Sequence, residues 1–374
     1  MQSVWERTSF TAQADLVVVG SGIVGLFAAI FHQRRNPKHR VVVLERGPHP
    51  IGASARNAGF ACFGSPSELL HDIEAEGSDT ALARAEERWI GLHELRAELG
   101  DAAIGFEMTG GHEAFRTGEA LYPRVAERFD QLNDLLRPIT GQVTFRWDDA
   151  RIRDCGLQGV EHLACNDLEG SIDSGMLMRA LLRKAGQTGV EVRFNADVAS
   201  IEEGASEVVL PLRNGTAWRC SRVLIATNGF TAALLPELDV VPARGQVLLT
   251  TPVPGLALRG CFHMNEGFYY FRDCAGGVLL GGGRHLDFAG ECTSEEGLTP
   301  RIQEALEGLL REVILPGVDF RVAQRWSGTM AFGSNGKAPL VNRLSERVSV
   351  AVRMGGMGVA IGIRVARKAC DMLA

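Results

Sequence analysis

The sequence has no excess of basic residues, no cysteine motif for metal binding and no long apolar run. Its net charge of -6 over 374 residues argues against nucleic acid as a main partner, because such proteins carry a basic surface. The eight cysteines include no CxxC pair and no Cys/His spacing typical of zinc, so we expect reduced, mostly buried thiols and no metal. No stretch approaches the roughly eighteen apolar residues needed to cross a membrane, and Met1–Ala14 lack the apolar core of a signal peptide. We therefore expect a cytoplasmic protein without a membrane span.

Glycine, by contrast, is abundant. The chain has 44 glycines in 374 residues, well above the typical frequency of about 7%. Hydrophobic residues make up 45%, which is ordinary for a globular protein, and the length allows two domains. This composition suits a protein with many tight strand-to-helix turns over a ligand.

The segment 15–45 has the pattern of a dinucleotide-binding unit. Leu16–Val19 is typical of a buried strand, the glycines of Gly20–Gly25 follow in the spacing GxGxxG, and a helix then runs to Asn36. Glycines allow a tight turn and a close approach of the backbone to a pyrophosphate, which a helix N-terminus stabilises. Glu45 ends the next strand, where a carboxylate can accept hydrogen bonds from a ribose. This unit alone would suit either NAD or FAD.

The rest of the chain alternates between helical and extended patterns. A long helical stretch at 67–99 carries many acidic residues, which we interpret as a solvated face. An amphipathic helix opens at Asp173, and its apolar side is predicted to carry Met176, Leu177, Ala180, Leu181 and Leu182. Short strands are predicted near 190–194, 197–202, 206–212 and 222–226. The alternating pattern of 240–320 predicts a partly exposed, mainly antiparallel sheet, and 348–373 reads as strand, glycine turn and helix.

Three glycine-rich strand exits, at 20–25, 226–229 and 354–358, exceed what an NAD site requires and indicate an extended cofactor. Together with Glu45–Gly47 and Gly52–Gly59, they make the whole chain resemble the D-amino-acid oxidase superfamily of FAD-dependent amine and amino-acid oxidoreductases. Glycine oxidase and sarcosine oxidase are members of that superfamily. Within it, the chain is most similar to the gamma-glutamylputrescine oxidoreductase type.

The closer resemblance rests on short segments spread along the chain, which are Gly52–Gly59, Pro242–Gln246, Tyr269–Arg272, Gly281–Arg284 and Trp326–Met330 running on to Pro339. The resemblance implies an α/β fold in which a Rossmann-like FAD-binding domain is interleaved with a substrate domain of helices and a mainly antiparallel sheet. We predict the FAD-binding domain at 15–100, 150–236 and 321–374, and the substrate domain at 101–149 and 237–320.

The resemblance also implies a set of FAD-binding residues. They would form the pyrophosphate turn, the ribose edge, the loop beneath the flavin, the adenine clamp and a helix N-terminus at the flavin pyrimidine edge. The helix N-terminus would stabilise the negative charge of a reduced flavin. Residues that relatives bond covalently to the flavin are missing, so we expect noncovalent FAD. The predicted set is Gly20, Ser21, Gly22, Ile23, Val24, Gly25, Glu45, Arg46, Ser54, Ala55, Arg56, Asn57, Ala58, Val198, Ala226, Thr227, Asn228, Gly229, Gly328, Gly355, Gly356, Met357, Gly358 and Val359.

Three residues are the catalytic candidates. Phe60 follows the flavin loop, Tyr270 lies on a strand that would present it to the flavin, and Arg284 ends a glycine run where it could hold an anionic substrate tail. Sheet packing for Tyr270 and a solvated loop for Arg284 are the alternatives. Met330 stands where glycine-oxidase-like members carry a carboxylate-binding arginine, with Arg244 or Arg284 as a substitute. The absence of an arginine at position 330 disfavours a substrate with an α-carboxylate.

The predicted reaction is oxidation of a CH–NH bond in an amine or N-substituted amino acid. Hydride passes to flavin N5, and water hydrolyses the imine product. Oxygen or another acceptor then takes the electrons. The alternatives are a glycine or D-amino-acid oxidase or dehydrogenase, and a flavin-binding protein without turnover. We interpret His263 as a structural histidine, and Cys62 as lining the pocket without a redox role.

Overall fold

The computed structural model describes residues 3–334 and 336–373. They form two compact units, each assembled from segments that are separated in sequence. The predicted class, α/β with a Rossmann-like parallel sheet and a mainly antiparallel sheet, is confirmed. Unit 1 contains the described residues of Met1–Ala55, Gly175–Pro242 and Met330–Ala374, and unit 2 contains Arg56–Ser174 and Ala243–Thr329.

These boundaries differ from the predicted domains, since 56–100, 150–174 and 321–329 lie in unit 2. The reason is packing: the helices after residue 65 bury their apolar faces on one another and on strands of the same unit. Which unit binds cofactor and which binds substrate remains a prediction.

The strands alternate with helices in the N-terminal and C-terminal segments and follow one another directly in the middle of the chain. They are β1 Ala14–Val19, β2 Val41–Leu44, β3 Phe60–Ala61, β4 Gly111–Arg116, β5 Arg146–Trp147, β6 Val160–Asn166, β7 Gly170–Ser171, β8 Glu191–Arg193, β9 Glu202–Glu203, β10 Val208–Pro211, β11 Ala217–Ile225, β12 Val241–Thr250, β13 Cys261–Met264, β14 Tyr269–Cys274, β15 Gly277–Gly282, β16 Val322–Phe332, β17 Leu340–Arg343 and β18 Val348–Val352.

The α-helices are α1 Ile23–Arg35, α2 Ala53–Arg56, α3 Pro66–Glu76, α4 Ser78–Leu99, α5 Asp101–Ile104, α6 Leu121–Thr140, α7 Ala150–Asp154, α8 Ser174–Gln187, α9 Pro300–Leu309 and α10 Gly358–Met372. Short 3₁₀ or π segments lie at Glu6–Phe10, Asn228–Ala233, Arg284–Leu286 and Leu310–Ile314. None of the helices that the structure describes has the length and apolar character needed to cross a bilayer.

Unit 1 is built on a sheet in the order β17-β18-β11-β1-β2-β8, with β10 and β9 added beside β11. The neighbours from β18 to β8 pair in parallel. Their apolar residues are buried on both faces, as expected for a sheet covered by helices. Val19 pairs with both Leu44 and Ile225, so three strands end at the same level. The turns after these strands therefore leave from one edge of the sheet.

Unit 2 is built on a sheet in the order β16-β12-β15-β14-β13-β4-β6-β5. Strands β12, β15, β14 and β13 pair antiparallel, as predicted, whereas β4 joins β13 in parallel. Phe262, Phe271 and Leu280 point into a core shared with α9. Because side chains alternate along a strand, His263 and Tyr270 lie on the opposite face.

The solvated face predicted for the acid-rich helices is wrong in part. The Asp72 carboxylate lies 2.6 Å from the Arg84 guanidinium, and both side chains are less than a tenth exposed. Glu68, which is partly buried, pairs with the buried Arg88 at 2.7 Å. These charges are buried because α3, α4 and α6 pack together, and each buried charge has a partner of opposite sign.

The predicted strand at 197–202 is also wrong in part. Only one bridge, between Val198 and Leu212, occupies its first half, and β9 is limited to Glu202–Glu203. Both glutamates are exposed, so no apolar face holds a longer strand in place. Met176, expected on the apolar side of α8, is exposed because the helix turns it away from Leu177 and Leu181.

Candidate active site

The first glycine turn is shaped by close contacts within unit 1. Gly20 has a φ of +107°, and a Cβ there would lie 2.7 Å from the Ala226 carbonyl oxygen. A Cβ on Gly25 would overlap the Gly20 carbonyl oxygen. At Gly22, a Cβ would meet only the Ser54 side chain, at 3.0 Å from Oγ. The fold therefore requires glycine at the first and third positions, while the middle one leaves room for a ligand.

Glu45 lies beside this turn and is almost fully buried. Its Oε2 accepts hydrogen bonds from the Ser21 backbone N–H at 3.1 Å and from Ser21 Oγ at 2.6 Å. Its Oε1 accepts from the Gly47 N–H at 3.0 Å. A carboxylate offers about four acceptor positions, so one remains for a ribose hydroxyl. The predicted ribose acceptor thus also braces the turns after β1 and β2.

The second and third strand exits are joined by Asn228. Its side-chain Oδ1 accepts hydrogen bonds from the N–H groups of Arg353 at 3.1 Å and Met354 at 3.2 Å. Gly355 N–H donates to the Ala331 carbonyl at 2.9 Å, which fixes the turn before α10. Helix α10 then begins without a side-chain cap from Met357, so its N-terminus presents donor groups. By contrast, the first amide of α1 donates to Ser54 Oγ at 3.0 Å.

The glycine turns, Glu45 and the start of α10 therefore gather at the carboxyl edge of the parallel sheet of unit 1, where ligands bind in such folds. The glycine cradle, the buried acid and the uncapped helix fit an extended dinucleotide. Arg46 lies with its guanidinium 3.7 Å from the centre of the Phe230 ring. The unit 1 residues of the predicted set are Gly20, Ser21, Gly22, Ile23, Val24, Gly25, Glu45, Arg46, Ser54, Ala55, Val198, Ala226, Thr227, Asn228, Gly229, Gly355, Gly356, Met357, Gly358 and Val359.

The remaining predicted cofactor residues, Arg56–Ala58 and Gly328, belong to unit 2. The Arg56 guanidinium donates to the Ser327 carbonyl at 2.9 Å, and Trp326 Nε1 donates to the Arg56 carbonyl at 2.9 Å. A Cβ on Gly328 would lie 3.2 Å from the Cβ of Arg56. The loop is therefore held against β16, and glycine at 328 permits this approach.

Phe60 and Tyr270, two of the predicted catalytic residues, are brought together in unit 2. Their ring centres are 5.8 Å apart, and the Phe60 ring also meets the His263 ring edge-on at 5.1 Å. Tyr270 is opposite Gly281 in the sheet, and a Cβ on Gly281 would come within 2.6 Å of the phenol oxygen. Burial raises the pKa of Tyr270 to about 12, so the phenol is neutral at physiological pH. We call Phe60, His263 and Tyr270 the aromatic cluster.

The two candidate carboxylate-binding arginines have different surroundings. Arg284 lies on a 3₁₀ turn with its guanidinium 4.7 Å from the centre of the Phe288 ring, and burial lowers its pKa. Arg244 forms a two-point contact with Glu291, at 2.9 and 2.8 Å, and Glu291 is buried. The suggestion that Arg244 substitutes for the missing substrate arginine is therefore disfavoured, because its guanidinium already has a carboxylate partner.

Sequence reasoning missed a group of titratable residues that includes His263 of the aromatic cluster and two buried residues, Cys62 and Glu169. Cys62, Glu169 and His263 each place one polar atom within 4.8 Å of the others. Burial raises the pKa of Glu169 to about 7 and lowers that of His263 to about 4, and it also raises the pKa of the Cys62 thiol. The imidazole Nε2 is inaccessible and has no hydrogen-bond partner in the described part of the chain, so His263 is not the satisfied structural histidine expected. These residues are far apart in sequence, and no spacing rule joins them.

Glu113, opposite His263 on the neighbouring strand, is another buried acid. Desolvation raises its pKa to about 7, although hydrogen bonds donated by the Ser67 hydroxyl and N–H act in the opposite direction. The folded state thus keeps a proton between about pH 4.5 and 7 that the unfolded chain loses. This carboxyl group therefore stabilises the fold less as the pH rises through that window.

We expect a Glu113→Gln variant to lose less stability than the parent protein when the pH is raised from 4.5 to 7. Glutamine keeps an acceptor for Ser67 and does not ionise, and a shift of this size corresponds to on the order of 3 kcal/mol. Urea unfolding at several pH values measures the difference. Equal pH dependence in the two proteins would contradict the assignment of a protonated Glu113.

The whole chain matches one family of known proteins. The profile of the FAD dependent oxidoreductase family, abbreviated DAO, matches residues 15–372. An N-methyl-L-tryptophan oxidase of Salmonella dublin is 26% identical over 235 residues, which cover 62% of this chain and 57% of that relative. This chain therefore matches less than two thirds of that relative's length.

Two solved structures have similar folds over almost their full lengths. The L-proline dehydrogenase of P. horikoshii has a TM-score of 0.77 at 16% identity, covering 98% of this chain and 94% of that one. The glycine oxidase of Geobacillus kaustophilus has a TM-score of 0.72 at 21% identity, covering 97% of this chain and 95% of that one. The structures support the fold, and the family profile covers nearly every residue. As its sequence motifs predicted, the chain belongs to the FAD dependent oxidoreductase family, DAO.

Proposed function

We propose that the protein oxidises a CH–NH bond of an amine or N-substituted amino acid with noncovalently bound FAD. One observation carries the proposal: in unit 1 the three glycine-rich strand exits meet at one sheet edge, beside a buried acid and an uncapped helix N-terminus. Bound FAD supplies the hydride acceptor. Family membership supports this cofactor, and relatives named as oxidases or dehydrogenases of amino acids support the substrate class.

The aromatic cluster of unit 2 supports an uncharged amine as the reacting form. Phe60 and the neutral phenol of Tyr270 form a surface that favours apolar groups over a charged ammonium. Neither the phenol, with its raised pKa, nor the His263 imidazole, with a pKa lowered to about 4, is a strong proton acceptor at neutral pH. In this proposal the cluster positions and desolvates the substrate, and the amine loses its proton before the hydride leaves.

Noncovalent binding predicts that acid precipitation releases the flavin. The loop in which some relatives carry an attachment histidine reads Arg56–Asn57, and the cysteine that sarcosine oxidase bonds to the flavin is also missing. The absorption of oxidised flavin in the supernatant, measured after removal of the pellet, checks this. Colour that stays on the precipitated protein would contradict it.

For the substrate, we expect primary or secondary amines to reduce the flavin faster than glycine, sarcosine or D-alanine. Met330 replaces the arginine that would pair with an α-carboxylate, and Arg244 is engaged by Glu291. A carboxylate left desolvated and unpaired costs on the order of 2 to 5 kcal/mol. An anaerobic screen that follows bleaching of the bound flavin by amines and amino acids measures the preference.

The same screen separates the remaining alternatives. Rapid reduction by a simple α-amino acid, abolished in Arg284→Gln but retained in Arg244→Lys, would assign the carboxylate to Arg284 and favour glycine-oxidase-like chemistry. Flavin that no amine or amino acid bleaches would favour a binding protein without turnover. Protein that binds NAD and no flavin would overturn the proposal.

A further inference from the structure

We propose that Cys62, Glu169 and His263 of unit 2 form a binding site for a divalent transition metal of the zinc type. The Cys62 thiol, one Glu169 carboxylate oxygen and one His263 ring nitrogen all lie within 4.8 Å of one another. Ligand atoms around a tetrahedral zinc ion stand about 3 to 4 Å apart, given bond lengths of about 2.0 to 2.3 Å. Small side-chain rotations therefore suffice to bring the three atoms onto one ion.

Glu169 is held in place by its backbone neighbours. Its Oε1 accepts hydrogen bonds from the N–H groups of Phe63 at 2.7 Å and Gly64 at 3.2 Å. Gly111 on β4 makes room for the other oxygen, because a Cβ there would overlap Oε2. Two backbone N–H groups therefore fix the position of this carboxylate, and such hydrogen bonds orient ligands in metal sites.

The other two donors point to the same space. His263 Nε2 is shielded from solvent without a hydrogen-bond partner in the part of the chain that the structure describes, and coordination would satisfy it. Cys62 lies on the segment after β3, whose Phe60 packs edge-on against the His263 ring. The donors thus come from three separate segments that one packed region brings together.

The donor chemistry favours zinc over magnesium or calcium. A thiolate, an imidazole and a single carboxylate are typical zinc ligands, whereas the harder cations require mostly oxygen. A thiolate and a carboxylate together balance the two charges of the ion. The neighbouring Arg88 guanidinium does not upset this balance, because it is paired with Glu68 at 2.7 Å.

Zinc content measures the proposal directly. The flavin-loaded protein is stripped by dialysis against a chelator, equilibrated with Zn²⁺, freed of excess ion and analysed by mass spectrometry of the metal. We expect about one zinc per chain, with an affinity, measured against a chromophoric chelator, that falls at least ~10-fold in Cys62→Ser and in Glu169→Gln. Glutamine at 169 keeps an acceptor for the Phe63 and Gly64 amides, so we expect Glu169→Gln to retain the local fold. It therefore tests the proposal even if Cys62→Ser does not fold.

Cys165→Ser is the matched control. Cys165 is also buried and its Sγ lies 3.2 Å from the His112 imidazole, but among the residues that the structure describes no carboxylate joins this pair to complete a site. We expect its zinc content to equal that of the parent protein. Zinc binding unchanged by Cys62→Ser and Glu169→Gln would overturn the proposal.

A disulfide at Cys62 would also overturn the proposal if the reduced protein then takes up no zinc. Cys261 Sγ donates to the Gly170 carbonyl at 3.2 Å, and Cys62 Sγ lies 4.0 Å from the same oxygen, so the two thiols are neighbours. Peptide mapping without reductant, followed by zinc titration of the reduced protein, distinguishes the cases. If Cys62 and Cys261 form a disulfide and the reduced protein takes up no zinc, Cys62 pairs with Cys261 and does not bind a metal.

Discussion

A Gly22→Val variant is expected to fold but to be purified almost without flavin. The backbone at Gly22 is extended, with φ -72° and ψ -179°, which valine also adopts, and a Cβ there meets only the Ser54 side chain. The added methyl groups would fill the space through which a pyrophosphate approaches the turn. The flavin-to-protein ratio should fall at least ~10-fold, which requires a loss of only about 1.4 kcal/mol of binding free energy.

Two matched glycines separate a binding defect from a folding defect. Gly186, in α8 of the same unit, has open space around its Cβ position, so Gly186→Val should keep its flavin. Gly25→Ala should lose structure instead, because its Cβ would overlap the Gly20 carbonyl oxygen. Circular dichroism and flavin absorption, measured on all three variants, distinguish these results. Full flavin occupancy in Gly22→Val would show that the cofactor does not bind at the first glycine turn.

The second large effect is expected in stability when the Arg244–Glu291 pair is broken. Both side chains are largely buried, at 11% and 1% exposure, and Glu291 also accepts a hydrogen bond from Gln246 Nε2 at 2.8 Å. Arg244→Ala or Glu291→Ala leaves one buried charge without its partner, which typically costs about 3 to 5 kcal/mol. The midpoint of urea unfolding, compared with that of the parent protein, measures the loss.

The exposed pair of Arg259 and Glu107 in the same unit is the control. Its side chains are 65% and 62% exposed, so Arg259→Ala should change stability by less than about 1 kcal/mol. A stable Arg244→Ala variant whose only defect is a raised KM for carboxylate substrates would show that Arg244 binds substrate. That result would restore the alternative in which Arg244 substitutes for the missing carboxylate-binding arginine.

Local sequence signals were sufficient for the glycine turns of unit 1. A buried parallel strand, a glycine turn and a helix follow one another within a short stretch, so spacing alone predicts that Gly20–Gly25 and Glu45 share a sheet edge. The third exit, before α10, was predicted on the same grounds. The bracing of the turns was not predictable, because the hydrogen bonds of Asn228 to Arg353 and Met354 join residues that lie far apart in the chain.

Unit 2 gave weaker signals, because its important neighbours come from different strands. Alternation predicted an antiparallel sheet, but it could not place Phe60 against Tyr270 or match Arg244 with Glu291. The pattern of charges gave a wrong prediction for part of α3. Its acidic residues were interpreted as exposed to solvent, whereas Asp72 is buried against Arg84. Burial depends on which helices pack together, and local periodicity does not specify that packing.

The sequence by itself determined the family, the α/β class and the positions of the glycine turns, because these depend on backbone conformation and on residues close together in the chain. Only the tertiary structure decided which side chains are buried together, and with that the protonation of Glu113, the partner of Arg244 and the grouping of Cys62, Glu169 and His263. The physical reason is desolvation. A charged or polar group changes its pKa and its partners according to what surrounds it in three dimensions, and segments distant in sequence supply those surroundings.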